Sequence, residues 1–272
     1  MKKNLIKIQK KKNNTKKKIK KKNMSFGIKA STIDTSKLTP PSLPKPSEDN
    51  RIKVLSGLGY ATQYLEPISQ EFITYSSTLK IPVLDVGAAY GLTTINALHK
   101  GAIVITNELQ KNNLDYIICN KEISNEEKER LYLKEGSILN IDFPNNSIGA
   151  IHIARVIHFF NPKEIEKFFE NCYKWLIDKG RIYLSTMSQY HYGNPKDFYI
   201  KYNESLKNGI EFPGEINNYQ FKNENYYLQA IDPFVICNLA KKFNFIVKKV
   251  ELWGGDNDDD YTCAILIKNY HH

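Results

Sequence analysis

The chain has 272 residues, 41% of them hydrophobic and 25% charged, which suits one ordinary domain with a small cap. The formal net charge of +10 is unevenly placed: residues 1–23 hold 12 lysines and no acid, leaving 27 basic against 29 acidic residues elsewhere. The remainder is near neutral, which argues against a nucleic-acid partner, and the four cysteines stand singly, as in a cytoplasmic protein of reduced thiols without a bound metal.

Residues 1–23 form a Lys/Asn run with isolated Leu5, Ile6, Ile8 and Ile19, too polar to fold alone. No apolar core of a signal peptide follows it, and no apolar run reaches the roughly 20 residues of a membrane span. A disordered extension, with Met24 as an alternative start, outweighs a polycationic arm. Pro40, Pro41, Pro44 and Pro46 make residues 31–50 an extended linker. Residues 1–50 are thus expected as tail and linker, and order is expected from about Arg51, in one domain over 51–270. From Val54 to Ser77 the spacing of Leu58, Tyr64, Leu65, Ile68, Phe72 and Ile73 predicts helix, with Pro67 near a helix start.

Ile81, Val83, Leu84 and Val86 make the short apolar run of a buried parallel strand. The chain then turns at Gly87 and opens a helix near Gly91, a geometry that brings a ligand against free backbone N–H groups. The dinucleotide fingerprint is absent, because Ala89 and Leu92 stand where its second and third glycines would be. Asp85, just before the turn, repels a pyrophosphate and suits a cationic cofactor without phosphate. The run Asp85-Val86-Gly87-Ala88-Ala89-Tyr90-Gly91 resembles the first motif, D/E-x-G-x-G-x-G, of the class I S-adenosylmethionine-dependent methyltransferases, with Ala89 in place of the middle glycine.

That resemblance implies S-adenosyl-L-methionine as cofactor, bound through Asp85, Gly87, Ala88, Ala89, Tyr90 and Gly91. It implies an α/β fold: a Rossmann-like, doubly wound, seven-stranded sheet, mostly parallel with one antiparallel strand, plus a small helical and aromatic cap. In such proteins the leading helices cover the cofactor's mouth. The Gly57-Leu58-Gly59-Tyr60 turn and Gln63 are therefore candidates for the methionine end, as against plain packing on the sheet.

A second apolar strand, Ala102 to Thr106, ends at Asn107 and Glu108. An acid at such a strand end accepts from both ribose hydroxyls, and Glu108 also matches the family's second motif, with Leu109 beside it. The competing role is an acid at the N-terminus of a helix over Leu109–Asn120. Ser124 and Glu127 form a capping box for the next helix, and Leu131–Leu133 is a short strand. Gly136-Ser137-Ile138 resembles the third motif, which implies that the Ser137 hydroxyl accepts from the adenine amino group and the Ile138 amide donates to the ring. The fourth strand, Ile148 to Ala154, runs into Arg155-Val156-Ile157-His158-Phe159-Phe160. In the family this strand end lies beside the transferred methyl group, so the Arg155 carbonyl is expected to meet the cofactor's ammonium. His158 is a candidate general base, weighed against a half-buried histidine that orients a loop. His152 reads as packed within the strand.

Asn161-Pro162 starts a helix with the apolar stripe Ile165, Phe168, Phe169, Cys172, Trp175 and Leu176. Lys179-Gly180 is expected to end it before a strand at Arg181–Thr186. Residues 188–230 carry ten tyrosines and phenylalanines, among them Tyr192, Tyr219 and Tyr226. They read as an acceptor-side insertion, or equally as a satellite cap that only packs. His191 is the second base candidate. Asp232–Phe243 reads as a helix, and Phe245–Leu252 and Tyr261–Lys268 as strands. The acidic loop between them lacks calcium-loop spacing, and His271 and His272 are terminal. The function that follows is in-line methyl transfer from S-adenosylmethionine to a small-molecule acceptor. The alternatives are a protein-amine methyltransferase and a non-catalytic S-adenosylmethionine-binding protein. A nucleic-acid methyltransferase is disfavoured, because Arg155-Val156-Ile157-His158 stands where an Asp/Asn-Pro-Pro-Tyr/Phe motif would be.

Overall fold

A computed structural model describes residues 25–48, 50–55, 57–191, 197–221, 224–254 and 260–269. In chain order its elements are β1 (Ile28–Lys29), β2 (Arg51–Lys53), β3 (Tyr60–Thr62), α1 (Pro67–Ser76), β4 (Val83–Val86) and α2 (Leu92–His99). Then come β5 (Val104–Glu108), α3 (Lys111–Ile118), α4 (Asn125–Lys128), β6 (Leu131–Glu135), β7 (Ile148–Ala154), α5 (Pro162–Trp175) and β8 (Leu176–Met187). The chain closes with α6 (Phe198–Lys207), β9 (Glu215–Phe221), β10 (Glu224–Gln229), α7 (Pro233–Lys242), β11 (Phe245–Trp253) and β12 (Tyr261–Lys268).

The main sheet has the order β1-β6-β5-β4-β7-β8-β12-β11. Strands β6, β5, β4, β7 and β8 pair in parallel, and β12 enters antiparallel between β8 and β11. This is the doubly wound α/β arrangement. Strand alternation assigns the two cores. Leu84, Val86, Ile151 and Ile153 face α5 and α7, with Phe168, Phe169, Trp175, Ile236 and Leu239. Val83, Val104 and Ala150 face α1, α2 and α3, with Phe72, Leu98 and Ile117. By the same alternation Asp85, Thr106 and His152 lie on the α1–α3 face, toward the carboxyl ends of β4, β5 and β7.

Four expectations change. Order begins before Arg51: Ile28 pairs with Leu133, Lys29 with Tyr132, and Ala30 is buried. This eighth strand is two residues long with Ile28 exposed, and only Ala30 in the turn after it is buried, too little to register as an apolar pattern. Val54–Ser77 is not one helix. Residues 51–62 make the β2–β3 hairpin and only Pro67–Ser76 is helical, because Gly57 and Gly59 at φ +79° interrupt the helical spacing. Helix α5 ends at Trp175 rather than at Lys179-Gly180, since Leu176 already pairs with Ile148. The 188–230 region adds a hairpin, β9–β10, to its helix α6. Tyr192, the acidic-loop residues Asp256, Asp258 and Asp259, and the terminal His271 and His272 lie outside the described residues. Among the described residues no helix is long and apolar enough to cross a membrane, and no His/Cys/Asp/Glu cluster is placed to hold a metal.

Candidate cofactor and acceptor site

The turn after β4 owes its shape to backbone conformation. Gly87 and Gly91 take φ of +65° and +82°, and Ala89 takes +49°. The amides of Gly87 and Ala88 both donate to the Asn107 carbonyl at 3.0 and 3.1 Å. The Asn107 side chain in turn donates to the carbonyls of Lys134 and Gly136, each at 2.9 Å. Asn107 thus binds the turn to the β6 loop, a role that nothing in its sequence position revealed. The Tyr90 hydroxyl donates to the Lys53 carbonyl, tying the turn to the β2–β3 hairpin. Burial and then Glu108 push the Tyr90 phenol up to about 12, so it stays a donor.

Both acids line one cavity of about 460 Å³, within the usual range for small-ligand sites. Asp85, 1% exposed, accepts from Thr94 Oγ1 at 2.7 Å through Oδ2 and from His152 Nδ1 at 2.8 Å through Oδ1. Glu108 Oε2 accepts from the Leu109 amide at 2.8 Å and Asn113 Nδ2 at 2.9 Å. Its Oε1 takes only a long bond, 3.3 Å, from the Ala89 amide. Burial raises the Glu108 carboxyl, and these donors partly offset it. Glu108 therefore serves its own helix start, as the competing reading held, and still has an acceptor oxygen with little to hold it. Ser137 caps the short turn Ile138–Asn140 by accepting from the Leu139 amide at 3.4 Å.

On the far side of the cavity Arg155, at φ +55°, follows β7. Its guanidinium pairs with Glu66, donates to the Tyr64 hydroxyl at 3.2 Å, and lies 4.8 Å from the Tyr261 ring centroid. Burial alone would lower the Arg155 pKa; Glu66, Tyr261 and Tyr64 together more than reverse this, so the group is a fixed cation. The aromatic wall is made by Phe159, Tyr219 and Tyr226, with the Phe159 and Tyr226 rings 5.9 Å apart. His158 is buried, and its Nδ1 has no hydrogen-bond partner among the described residues. Its pKa is pushed down to about 3 by burial, then by His191 and Arg155. His191 is pushed down to about 4 by burial, then by Arg51 and Arg155.

Of the residues proposed from the sequence, Asp85, Gly87, Ala88, Ala89, Tyr90, Glu108, Leu109, Ser137, Ile138, Arg155, His158 and His191 all border this cavity. Gly91 does not; a Cβ there would meet Ile117 on α3 at 2.8 Å, so its role is close packing beneath the turn. Leu58, Gly59 and Tyr60 border the cavity, whereas Gly57 and Gln63 do not, and Gln63 donates instead to the Asn50 carbonyl at 3.1 Å. Sequence reasoning missed Glu66, Ser69 and His152, which also border it. A histidine in mid-strand opposite the motif acid was the only available signal.

The two depressed histidines make stability fall in acid. Their folded pKa values lie below the ordinary 6.5, so the unfolded chain binds more protons below that pH. The stability they allow is whole above pH ~6.5 and is lost as pH falls toward the folded values. At pH 5 each costs about 2 kcal/mol. Denaturant unfolding of wild type, His158→Phe and His191→Phe at pH 7 and pH 5 should show a shallower pH slope in both variants. Three identical slopes would contradict these burial-driven shifts.

A family model for the methyltransferase domain matches residues 84–184, from β4 through most of β8. No curated protein matches the chain by sequence. Solved structures match by fold. A putative S-adenosylmethionine-dependent methyltransferase of Listeria monocytogenes aligns with TM-score 0.58 at 14% identity, over 75% of this chain and 99% of that one. One from Methanosarcina mazei aligns with TM-score 0.55 at 14% identity, over 76% and 99%. The 1,6-didemethyltoxoflavin-N1-methyltransferase of Burkholderia thailandensis, solved with its acceptor and S-adenosylhomocysteine, aligns with TM-score 0.53 at 14% identity, over 75% and 80%.

Proposed function

We propose that this chain, whose residues 84–184 match the methyltransferase-domain model, is a class I S-adenosylmethionine-dependent methyltransferase and that it methylates a small molecule held in the same cavity as the cofactor. The observation that carries this reading is one shared cavity of about 460 Å³, with Asp85 and Glu108 on its wall together with His158, Phe159, Tyr219 and Tyr226. A folded polypeptide could enter such a cavity only by one extended side chain. The toxoflavin precursor bound in the Burkholderia neighbour is a small acceptor of the kind proposed.

The donor set fits the cofactor. Its cationic methionine end suits a site whose acid, Asp85, precedes the turn. Its ribose diol suits the little-engaged Glu108 Oε1, and its adenine suits the Ser137–Ile138 corner. When bound, S-adenosylmethionine supplies a methyl group already activated by its sulfonium. The chain's own work is then alignment and water exclusion. The aromatic wall and the β2–β3 hairpin confine the acceptor, and Glu66 holds Arg155 in place at the strand end. His158, neutral at pH 7, can accept a hydrogen bond from an acceptor hydroxyl or N–H and orient its lone pair.

The test is the fate of a labelled methyl group. Purified protein incubated with methyl-labelled S-adenosylmethionine and a cell extract split into metabolite and protein fractions should label the metabolites. Label confined to protein would overturn the small-molecule reading in favour of protein-amine transfer. Binding of S-adenosylmethionine without transfer to either fraction would favour a cofactor-binding protein.

A further inference from the structure

Strand β7 carries a histidine where it passes the motif acid. His152 is the direct register partner of Asp85 across the β4–β7 ladder. Its Nδ1 lies 2.8 Å from Asp85 Oδ1, and its Nε2 lies 2.9 Å from Ser69 Oγ on α1. All three residues border the cavity, with exposures of 1% for Asp85 and 3% for each of the others. The His152 ring is stacked on Phe72, centroids 5.0 Å apart, which fixes its plane. On the acid's other side Thr94 Oγ1 is 2.7 Å from Asp85 Oδ2 and 2.9 Å from Thr106 Oγ1.

Donor arithmetic fixes the direction of the chain. The Asp85 oxygens accept, so Thr94 spends its hydrogen there and takes one from Thr106, while His152 Nδ1 carries a hydrogen toward Oδ1. In the tautomer with that hydrogen on Nδ1, Nε2 accepts, and the Ser69 hydroxyl is the group placed to donate to it. The order serine–histidine–acid resembles a nucleophile relay, but the ring sits in mid-sheet under Phe72 and its hydrogen goes to the acid.

We propose that His152 and Ser69 are positioning residues for cofactor binding: they hold the Asp85 carboxyl in one rotamer, toward the cationic methionine end of S-adenosylmethionine. The inference rests on the cofactor reading of Asp85. Two fixed donors, Thr94 and His152, hold the buried carboxyl in one orientation, one on each oxygen.

Calorimetry with S-adenosylmethionine and with adenosine, which lacks the methionine end, tests it. His152→Phe should weaken S-adenosylmethionine by about 10- to 100-fold, the worth of a hydrogen bond to a charged group, and leave adenosine unchanged. His152→Asn, whose amide can donate where Nδ1–H does, should recover most of the loss. In an Asp85→Asn background His152→Phe should cost nothing further. Unchanged S-adenosylmethionine affinity in His152→Phe, equal losses for both ligands, or full additivity with Asp85→Asn would each overturn the proposal. Failure of the wild type to bind S-adenosylmethionine would overturn the cofactor reading beneath it.

Discussion

Glu108→Ala should lower the affinity for S-adenosylmethionine and for adenosine together, by about 10- to 100-fold, the scale of one or two hydrogen bonds to a charged group. The residue ends β5 at 5% exposure and borders the cavity. Its Oε1 is held only by the 3.3 Å bond from the Ala89 amide, so it is the oxygen best placed to take a ribose hydroxyl. Equal losses for the two ligands would locate the interaction at the shared nucleoside. The same substitution strips acceptors from the Leu109 amide and from Asn113 Nδ2. A stability loss of about 2–4 kcal/mol should accompany it, because buried donors are left unpaired. Glu108→Gln keeps one carbonyl oxygen and should lose less stability while still binding both ligands more weakly. Affinities in Glu108→Gln equal to wild type would remove Glu108 from the ribose role and leave it only the start of α3.

The turn itself should respond to side-chain size with opposite signs at two neighbouring positions. Gly87→Ala places a Cβ 2.5 Å from Val156 Cγ2 in a backbone at φ +65°. The left-handed conformation costs an alanine about 1 kcal/mol and the overlap about 1–3 more, so a loss of ~2–4 kcal/mol is expected. Ala89 already bears that conformational cost at φ +49°. Ala89→Gly should therefore stabilise the protein by up to about 1 kcal/mol, part of the relief being offset by the freer unfolded chain. Chemical denaturation of both variants checks this directly. A stabilised Gly87→Ala or a destabilised Ala89→Gly would mean that the turn has a different backbone. The departure from the family pattern at Ala89 thus acts through strain in the turn as well as through the extra methyl group.

The sheet was legible in the amino-acid order because its strands are nearly continuous apolar runs. β4, β5 and β7 had to be buried on both faces, and a glycine turn had to follow β4. The same logic singled out Asp85 and Glu108, and the packed chain brings both to one cavity, where Glu108 also serves the start of α3. Helices α4 and α5 were equally plain, as Ser124 with Glu127 and Asn161 with Glu164 form capping boxes from residues three apart. What local pattern could not supply was anything made by side chains distant in the chain. The β2–β3 hairpin is only three residues on each side, so its pairing was masked by a chance helical spacing. Ser69, Asp85 and His152 meet only because β7 lies beside β4 and α1 crosses their face. Glu66 and Arg155, 89 positions apart, pair for the same reason. Periodicity along a chain reports which side of an element is buried, and it carries no information about which polar groups will satisfy one another there. That choice belongs to the packed sheet, where a buried polar atom must find a partner wherever the topology offers one.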